Sequence, residues 1–435
     1  MNRLATIEAK GWCPGALRPM LSGDGLIVRV RPQSATLGLD QLAALADAAG
    51  RFGNGHIDLT RRANLQIRGV SEETLPQLHE VIARFGLLDD NPDGEAVRNV
   101  MVNPLAGIDP AEVFDVRSIG GELARLLATE TSLWALPTKF GFIVDSGGVL
   151  GLAEQRGDIR LAAIADGQGA AIAIGLETRI GMEWLGSIVR GAAAAVAVEI
   201  GLAFIAVASR EQRQRMRDLS DEGLASVRSA IMPRLDALRE QPRDADAPLM
   251  KRTGLIELGA GRFAVGIAAP FGRVEAGQIR MLVDAMAADG VKEVRLSPWR
   301  TLYAEVSDEQ SGQSILAAAA SVGLVVDSAD PLLQIEACPG TPGCQSTSLD
   351  TRGDARWLAR LLPRFGFTET VHVSGCAKGC AKSGTSDLVL IGAECRYGLV
   401  RNGTAQDTPV RHFLFSDLAA SPGEIFDTDR GSMHD

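Results

Sequence analysis

A chain of 435 residues is too long for one ordinary core and implies two or more domains. Its 46% apolar and 23% charged residues describe a globular protein rather than a disordered one. The net charge of −10, from 44 basic against 54 acidic residues, argues against a nucleic-acid binder as a whole and leaves room only for local basic patches.

The opening, Met1 to Trp12, lacks the apolar core of a signal peptide, so a cytoplasmic protein with reduced thiols is expected. After Trp12-Cys-Pro-Gly15 comes a polar turn, Ser22-Gly-Asp-Gly25, and then a strand from Leu26 to Arg31, bounded by glycine and Pro32. Leu42, Leu45, Ala46 and Ala49 recur at helical spacing and predict a helix over Leu39 to Phe52. His56 to Val70 splits into two strands around Arg61 to Asn64, and Ser71 to Phe85 reads as a second amphipathic helix. The order is strand, helix, strand, strand, helix.

That order returns later. Arg262 to Ala269 is a predicted strand, Ala276 to Ala288 a helix, Gly290 to Val306 a strand pair and Gln313 to Val322 the closing helix. One constant shift places Gly53 on Gly290, Leu59 on Leu296, Thr60 on Ser297 and Leu65 on Leu302, the signature of an internal repeat. A looser echo links Ile143-Val-Asp-Ser-Gly147 with Val371-His-Val-Ser-Gly375, each followed by a Gly-rich turn and a short strand (Asp158 to Leu161; Asp387 to Leu390). The chain is thus expected to be a duplicated pair of α+β units, with boundaries at 1–90, 91–245, 250–328 and 329–435. Between the halves, Leu219 to Arg252 reads as a linker: a charged helix over Val227 to Arg239, then the polar run Glu240 to Pro248. The longest apolar stretch, Gly191 to Ser209, is interrupted by Glu199 and reads as a buried helix running into a strand, not a membrane span.

Four of the six cysteines fall in two short pairs, Cys338-Pro-Gly-Thr-Pro-Gly-Cys344 and Cys376-Ala-Lys-Gly-Cys380. Four thiolates brought together can hold a [4Fe–4S] cube, one sulfur per iron. Structural zinc favours closer pairs, so five intervening residues suit it poorly. Lys378 and Lys382 flank Cys380, which places positive charge where an acidic electron donor could dock, or simply in solvent. Cys13 and Cys395 remain, and read as structural, although Cys13-Pro-Gly15 echoes Cys338-Pro-Gly340. The five histidines show no metal-ligand spacing; His56 and His372, at strand starts, could reach a second iron.

A duplicated scaffold leaves a cleft between halves. Arg61, Arg62 and Arg68 on the first strand pair, then Arg98 beside Asn99, and Lys139 are the cations expected to line it, with carboxylates as the matching ligand groups. The alternative is that strand arginines face water. Gly259-Ala-Gly261 lacks the helix of a Rossmann site, and no P-loop, nucleophile elbow or zincin motif is present. A cluster without a nicotinamide or flavin site implies a separate reductase.

These residues resemble the sulfite/nitrite reductase family over nearly the whole chain. Cys338, Cys344, Cys376 and Cys380 fall on that family's cluster cysteines, and Leu59-Thr-Arg-Arg-Ala-Asn-Leu-Gln66 is similar to its Thr-x-Arg-x-x-x-Gln turn. The resemblance implies two ferredoxin-like half-domains alternating with two mixed α/β domains, and substrate or tetrapyrrole contacts from Arg62, Gln66, Arg98, Asn99 and Lys139. The reductases carry a second lysine at the position of Gly141, so the likeness to the sulfite-reducing members breaks at that residue. The segments Trp12 to Arg31 and Val97 to Asp109 look like one branch of the family, oxygen-dependent enzymes of cobalamin biosynthesis. That likeness implies hydroxylation of precorrin-3A at C20 with lactone closure, using O2 and electrons from a separate NADH-dependent donor. It also implies a mononuclear non-haem iron beside the cluster, and the tetrapyrrole substrate in the place of sirohaem. The alternatives are a sirohaem-dependent assimilatory reductase and a non-catalytic tetrapyrrole or iron–sulfur carrier.

Overall fold

The computed structural model describes residues 13–165, 167, 169–208, 214–242 and 252–426. In chain order the first unit comprises β1 (Met20–Ser22), β2 (Gly25–Val30), β3 (Thr36–Gly38), α1 (Leu39–Phe52), β4 (His56–Leu59), β5 (Leu65–Val70) and α2 (Leu75–Arg84). After α3 (Pro92–Val97) come β6 (Val100–Val102), α4 (Arg117–Thr129), β7 (Phe142–Asp145), β8 (Ile159–Ala165), β9 (Ala170–Thr178), β10 (Gly181–Ile188), α5 (Ala193–Val207) and α6 (Asp221–Ile231). The third group is β11 (Gly254–Gly259), β12 (Arg262–Ala268), β13 (Arg273–Glu275), α7 (Ala276–Ala288), β14 (Glu293–Leu296), β15 (Thr301–Val306) and α8 (Glu309–Ser321). The last is β16 (Ile335–Ala337), α9 (Thr351–Ala359), β17 (Val371–Ser374), β18 (Ser386–Ala393), β19 (Arg396–Gly403), β20 (Arg411–Phe413) and α10 (Phe415–Ala420).

The elements build four five-stranded sheets, and the first and third groups are copies of one another. The repeat extends to backbone detail: Ala63 and Arg300, 237 residues apart, both take positive φ (52° and 59°), as do Ser34 and Phe271 (48° and 54°). Non-glycine residues adopt that region at a cost, so its recurrence marks the same turns in both copies. The two sheets also exchange an edge strand. Strand β13 pairs with β4 (Arg273↔Asp58, Glu275↔His56), and β3 pairs with β14 (Glu293↔Gly38, Arg295↔Thr36). Reciprocal exchange gives each sheet a paired edge, and one hydrophobic core runs through both copies, from Val28, Leu42 and Ile67 to Val265, Leu282 and Leu302. Asp58 is the polar seam between copies, bound by Arg273 at 2.8 Å and by Arg68 at 3.5 Å.

The second and fourth groups form two further sheets of the same topology, in the orders β10-β9-β8-β7-β6 and β16-β17-β18-β19-β20. In each, three short strands are parallel and the last two return antiparallel. Helix α5 packs Val196, Ala197, Ile200 and Phe204 into the core of the second group. With its short 3-10 start it is the one described helix long and apolar enough to cross a membrane by length and composition.

Several sequence expectations shift. The helix expected at Val227–Arg239 instead runs Asp221–Ile231, capped by the Ser220 hydroxyl on the Gly223 N–H. Pro233 cannot continue the helical hydrogen bonds, so the chain leaves the helix, and Asp236 pairs with Ser187 at the edge of β10. Val227 and Ile231 are buried core, so this segment is more than a linker. The stretch Gly191 to Ser209, expected as a helix running into a strand, is helical over Ala193–Val207 and shows no strand among its described residues, and residues 243–248 of the polar run lie outside the described residues. Helix α2 starts at Leu75 because Ser71 and Thr74 bond each other's backbone and hydroxyl groups in a capping turn. Helix α8 starts at Glu309, where Asp308 accepts from the Ser311 N–H.

Candidate active site

By internal contacts the chain divides into two compact units, one of residues 13–20 and Leu26–Val326, the other of Leu21–Gly25 and residues from Asp327 onward. In the second unit, β16 and β17 run parallel and end side by side, Ala337 opposite Val373. Ligand sites in open sheets form outside the carboxyl ends of such strands. Cys338 directly follows β16, and Cys376 follows β17 by two residues.

Local geometry holds the loops. Cys338 is buried, and its sulfur accepts a hydrogen bond from the Gly375 N–H at 3.2 Å. The Thr351 hydroxyl donates to the Cys338 carbonyl at 2.7 Å. The Cys344 sulfur accepts from the Ser346 N–H at 3.4 Å, and the Ser374 hydroxyl ties down the Cys376 carbonyl at 2.7 Å. Gly379, at φ 61°, makes the turn between Cys376 and Cys380.

The four thiols sense one another. Burial pushes the Cys376 thiol up, and Cys344 and Cys338 add to the rise; burial pushes Cys380 up to about 11, opposed by Lys378 and reinforced by the other three cysteines. Thiols in mutual electrostatic reach with N–H donors aimed at sulfur are the arrangement a cluster needs. Among the described residues no three His, Cys, Asp or Glu side chains come together as a site for one metal ion. The same observation leaves a mononuclear iron without an assignable ligand set: His372 lies buried on β17 and His56 opens β4, neither in such a group. Cys395, in the turn between β18 and β19, is exposed and rests 3.1 Å from the Ser348 hydroxyl.

The first unit carries a cluster of guanidinium groups. On β2, Val28 and Val30 face the core while Arg29 and Arg31 occupy the other face, yet both arginines are buried. Arg29 lies opposite Gln66, whose amide oxygen accepts from it at 2.8 Å. Burial lowers the pKa of Arg29 to about 10, with Arg31 and Arg62 adding to the effect. Burial likewise lowers Arg62, next to Arg215 and Arg31. Guanidinium groups stay charged, so this depression measures how poorly water solvates the cluster and how strongly an anion would be welcomed. The Nη1 of Arg29 and the Nε of Arg31 are buried donors with no hydrogen-bond partner among the described residues.

The expected site residues divide. Arg62 reaches across to donate to the Lys139 carbonyl at 2.9 Å, which brings the β4–β5 turn to the Lys139 loop. Lys139 itself is exposed. Asn99 spends its Nδ2 on the carbonyls of Ala96, Thr138 and Phe140, so it shapes that loop. Arg98 grips Asp89 with two bonds of 2.8 and 2.7 Å and also holds the Arg31 carbonyl, so its fork is committed within the protein. Asp158, buried, accepts from the Gly141 N–H and from Arg215, fixing the far end of the loop. Arg29 and Arg31 were missed in the sequence. Their signal was there: valine and arginine alternating along a predicted strand.

The first half-domain, residues 18–85, matches the family model of the nitrite/sulfite reductase ferredoxin-like half domain. A precorrin-3B synthase from Sinorhizobium is 35% identical over 92% of this chain and 84% of its own length. A ferredoxin–nitrite reductase from Synechococcus elongatus is 28% identical over 87% of this chain and 78% of its own. The solved structure of the Mycobacterium tuberculosis NirA protein superposes with a TM-score of 0.75 at 20% identity, covering 91% of this chain and 79% of that one. The duplicated fold, the cysteine quartet and the extent of the first of these matches agree: the chain belongs to the precorrin-3B synthase branch of the nitrite/sulfite reductase superfamily.

Proposed function

We propose that this oxidoreductase hydroxylates precorrin-3A at C20 and closes the lactone with the ring A acetate, using O2 and electrons from a separate NADH-dependent donor. The cluster of buried Arg29 and Arg31 with half-buried Arg62 carries the reading. Precorrin-3A is a macrocycle fringed with acetate and propionate arms, and poorly solvated guanidinium groups with unused N–H donors suit those carboxylates. Arg62 and Gln66 would contact the macrocycle, and Asn99 and Arg98 would hold the loop and strand that position Lys139 and Arg31.

Cys338, Cys344, Cys376 and Cys380 would hold a [4Fe–4S] cluster, which when bound supplies electrons one at a time. The Gly375 and Ser346 N–H groups would bond the ligand sulfurs and tune its potential. Hydroxylation by O2 places one oxygen atom on carbon and sends the other to water, which takes two electrons from the donor. Lys378, exposed beside Cys380, offers positive charge to an acidic donor.

The test is an absorption and EPR spectrum of the anaerobically purified protein, with iron and sulfide counts, followed by turnover assays. Cluster signals without sirohaem bands, and product formed from precorrin-3A only with O2, are the expected result. Stoichiometric sirohaem with sulfite or nitrite turnover would replace this reading with an assimilatory reductase. Binding of precorrin-3A without O2 consumption would make the chain a carrier.

A further inference from the structure

We propose, resting on the reading of the four cysteines as a cluster site, that Arg356, Arg360 and Arg364 along helix α9 form the docking surface for an acidic electron-carrier protein. Arginine recurs every fourth residue from Arg352 to Arg364, through α9 and the short 3-10 turn Leu362–Phe365 that continues it. Side chains four apart on a helix are neighbours on its surface. Ala355, Leu358 and Ala359 take the buried face. Arg352 is buried at the inner end of the row, while Arg356, Arg360 and Arg364 are exposed.

The duplicated scaffold supplies the contrast. Helix α4 takes the place of α9 in the sheet without cysteines, since each helix links the first two parallel strands of its own sheet. Both arginines of α4 are neutralised: Arg117 by Asp115 at 2.6 Å and Glu293 at 3.8 Å, and Arg125 by Glu122 at 2.7 Å. On α9, Arg360 and Arg364 form no ion pair among the described residues. The acids at the start of α9 are engaged elsewhere. Asp350 accepts from the Gly353 N–H at 3.0 Å, and Asp354 from the Tyr397 hydroxyl at 2.7 Å. Like charges at this spacing repel one another, and a partner of opposite sign relieves that cost. Beside the row, Phe365 is 42% exposed, and its ring stacks on Phe426 at 4.8 Å. Arginine next to a rigid aromatic is a composition that protein interfaces favour and that a small anion does not need.

Position ties the row to the cysteines. Thr351, the first residue of α9, donates its hydroxyl to the Cys338 carbonyl at 2.7 Å and lies 3.6 Å from the Cys338 sulfur. Arg356 follows five residues later, about 7.5 Å along the helix axis. A partner seated at the near end of the row therefore comes close to Cys338. In each encounter the donor loses one electron and the cluster gains it, so two encounters match the two electrons that hydroxylation takes.

The probe is an acidic plant-type [2Fe–2S] ferredoxin. Reduced ferredoxin is mixed anaerobically with the cluster-containing protein, without tetrapyrrole, and its reoxidation is followed by stopped flow; binding of oxidised ferredoxin is measured by calorimetry. Arg360→Glu/Arg364→Glu should slow transfer about tenfold at low salt, weaken binding to a similar degree and flatten the dependence on ionic strength. Photoreduced 5-deazariboflavin, a neutral small reductant, should reduce this variant at the unaltered rate. Arg84→Glu/Arg125→Glu changes the net charge equally on other helices and should slow transfer less than about twofold. Equal slowing by the two double variants overturns the proposal. So does a larger loss from Lys378→Glu alone, which would move the donor to the cysteine loop. Binding to phosphatidylserine vesicles that Arg360→Glu/Arg364→Glu abolishes, with ferredoxin transfer unchanged, would give the row to a membrane surface and also overturns it. Iron and sulfide counts separate a missing cluster, which would sink the cluster reading, from a missing docking surface, which calorimetry reports in either case.

Discussion

The two sheets built from β6–β10 and β16–β20 share one topology and end in different chemistry. In the first, the loop after β6 opens with Asn103, whose Nδ2 donates to the Asp145 carboxylate at 3.1 Å and to the Leu150 carbonyl at 3.0 Å. Asp145, at the end of β7, also accepts from the Gly147 and Leu152 N–H groups, while Asp109 accepts from Val149. Arg160 then binds the carbonyls of Leu152, Ala153 and Gln155. In the second sheet, the corresponding loops carry Cys338, Cys376 and Cys380. Parallel strands that end together leave loops whose polar groups need partners. One copy answers this from within, through two carboxylates and an asparagine. The other carries cysteines there, the ones we propose to hold a cluster.

The largest test of that contrast is Cys376→Ser. It should cut iron and acid-labile sulfide to background and abolish turnover; an unchanged spectrum would remove Cys376 from the ligand set. The counterpart in the other sheet is Asp145→Ala, which leaves three buried or half-buried donors unsatisfied. Each such loss costs about 1–3 kcal/mol and neighbouring losses overlap, so urea unfolding should show a loss of about 3–4 kcal/mol. Iron content per folded molecule should not change. If Asp145→Ala depleted iron as Cys376→Ser does, the division of labour between the sheets would be wrong.

Arg62→Ala separates substrate binding from cluster binding. A hydrogen bond to a charged group contributes about 1.5–3 kcal/mol, so precorrin-3A affinity should fall roughly 10- to 100-fold. Cluster absorbance should stay intact. The readout is a titration of protein fluorescence or substrate absorbance under anaerobic conditions, and unchanged affinity would shift the carboxylate contacts elsewhere in the arginine cluster.

How much of this could be read in the chain depended on whether the signal was local. Helices α1 and α7 were legible to the residue because their apolar spacing, and the glycines Gly53 and Gly290 just past their last turns, act locally. The cysteine quartet stands out in the chain because each pair lies within seven residues, and its role as a cluster site is the reading proposed above. The exchange of β3 and β13 was not, since a three-residue strand has no period and its partner lies more than 200 positions away. Arg98 and Arg31 illustrate the same limit at the site. Residue type marks both as anion-binding candidates, but only tertiary structure pairs Arg98 with Asp89 and Arg31 with Glu95.

The smallest effect concerns the turn Ser22-Gly-Asp-Gly25, which in sequence is only a polar turn between strands. In the structure it abuts the Cys344 loop: the Ser22 hydroxyl donates to the Gly343 carbonyl at 2.8 Å, and a Cβ on Gly23 would lie 2.6 Å from the Pro342 carbonyl and 2.9 Å from the Cys344 N. The Asn103 loop is stitched by its own carboxylates, whereas the Cys344 loop borrows support from a turn some 320 residues earlier. Ser22→Ala removes one half-buried hydrogen bond, a loss of about 0.5–1 kcal/mol, so a chelator should strip iron roughly two- to fivefold faster while iron content as purified stays the same. Gly23→Ala should act in the same direction and more strongly, because backbone rather than a flexible side chain would have to move. Identical release rates in all three proteins would mean that the quartet holds its cluster without help from this turn.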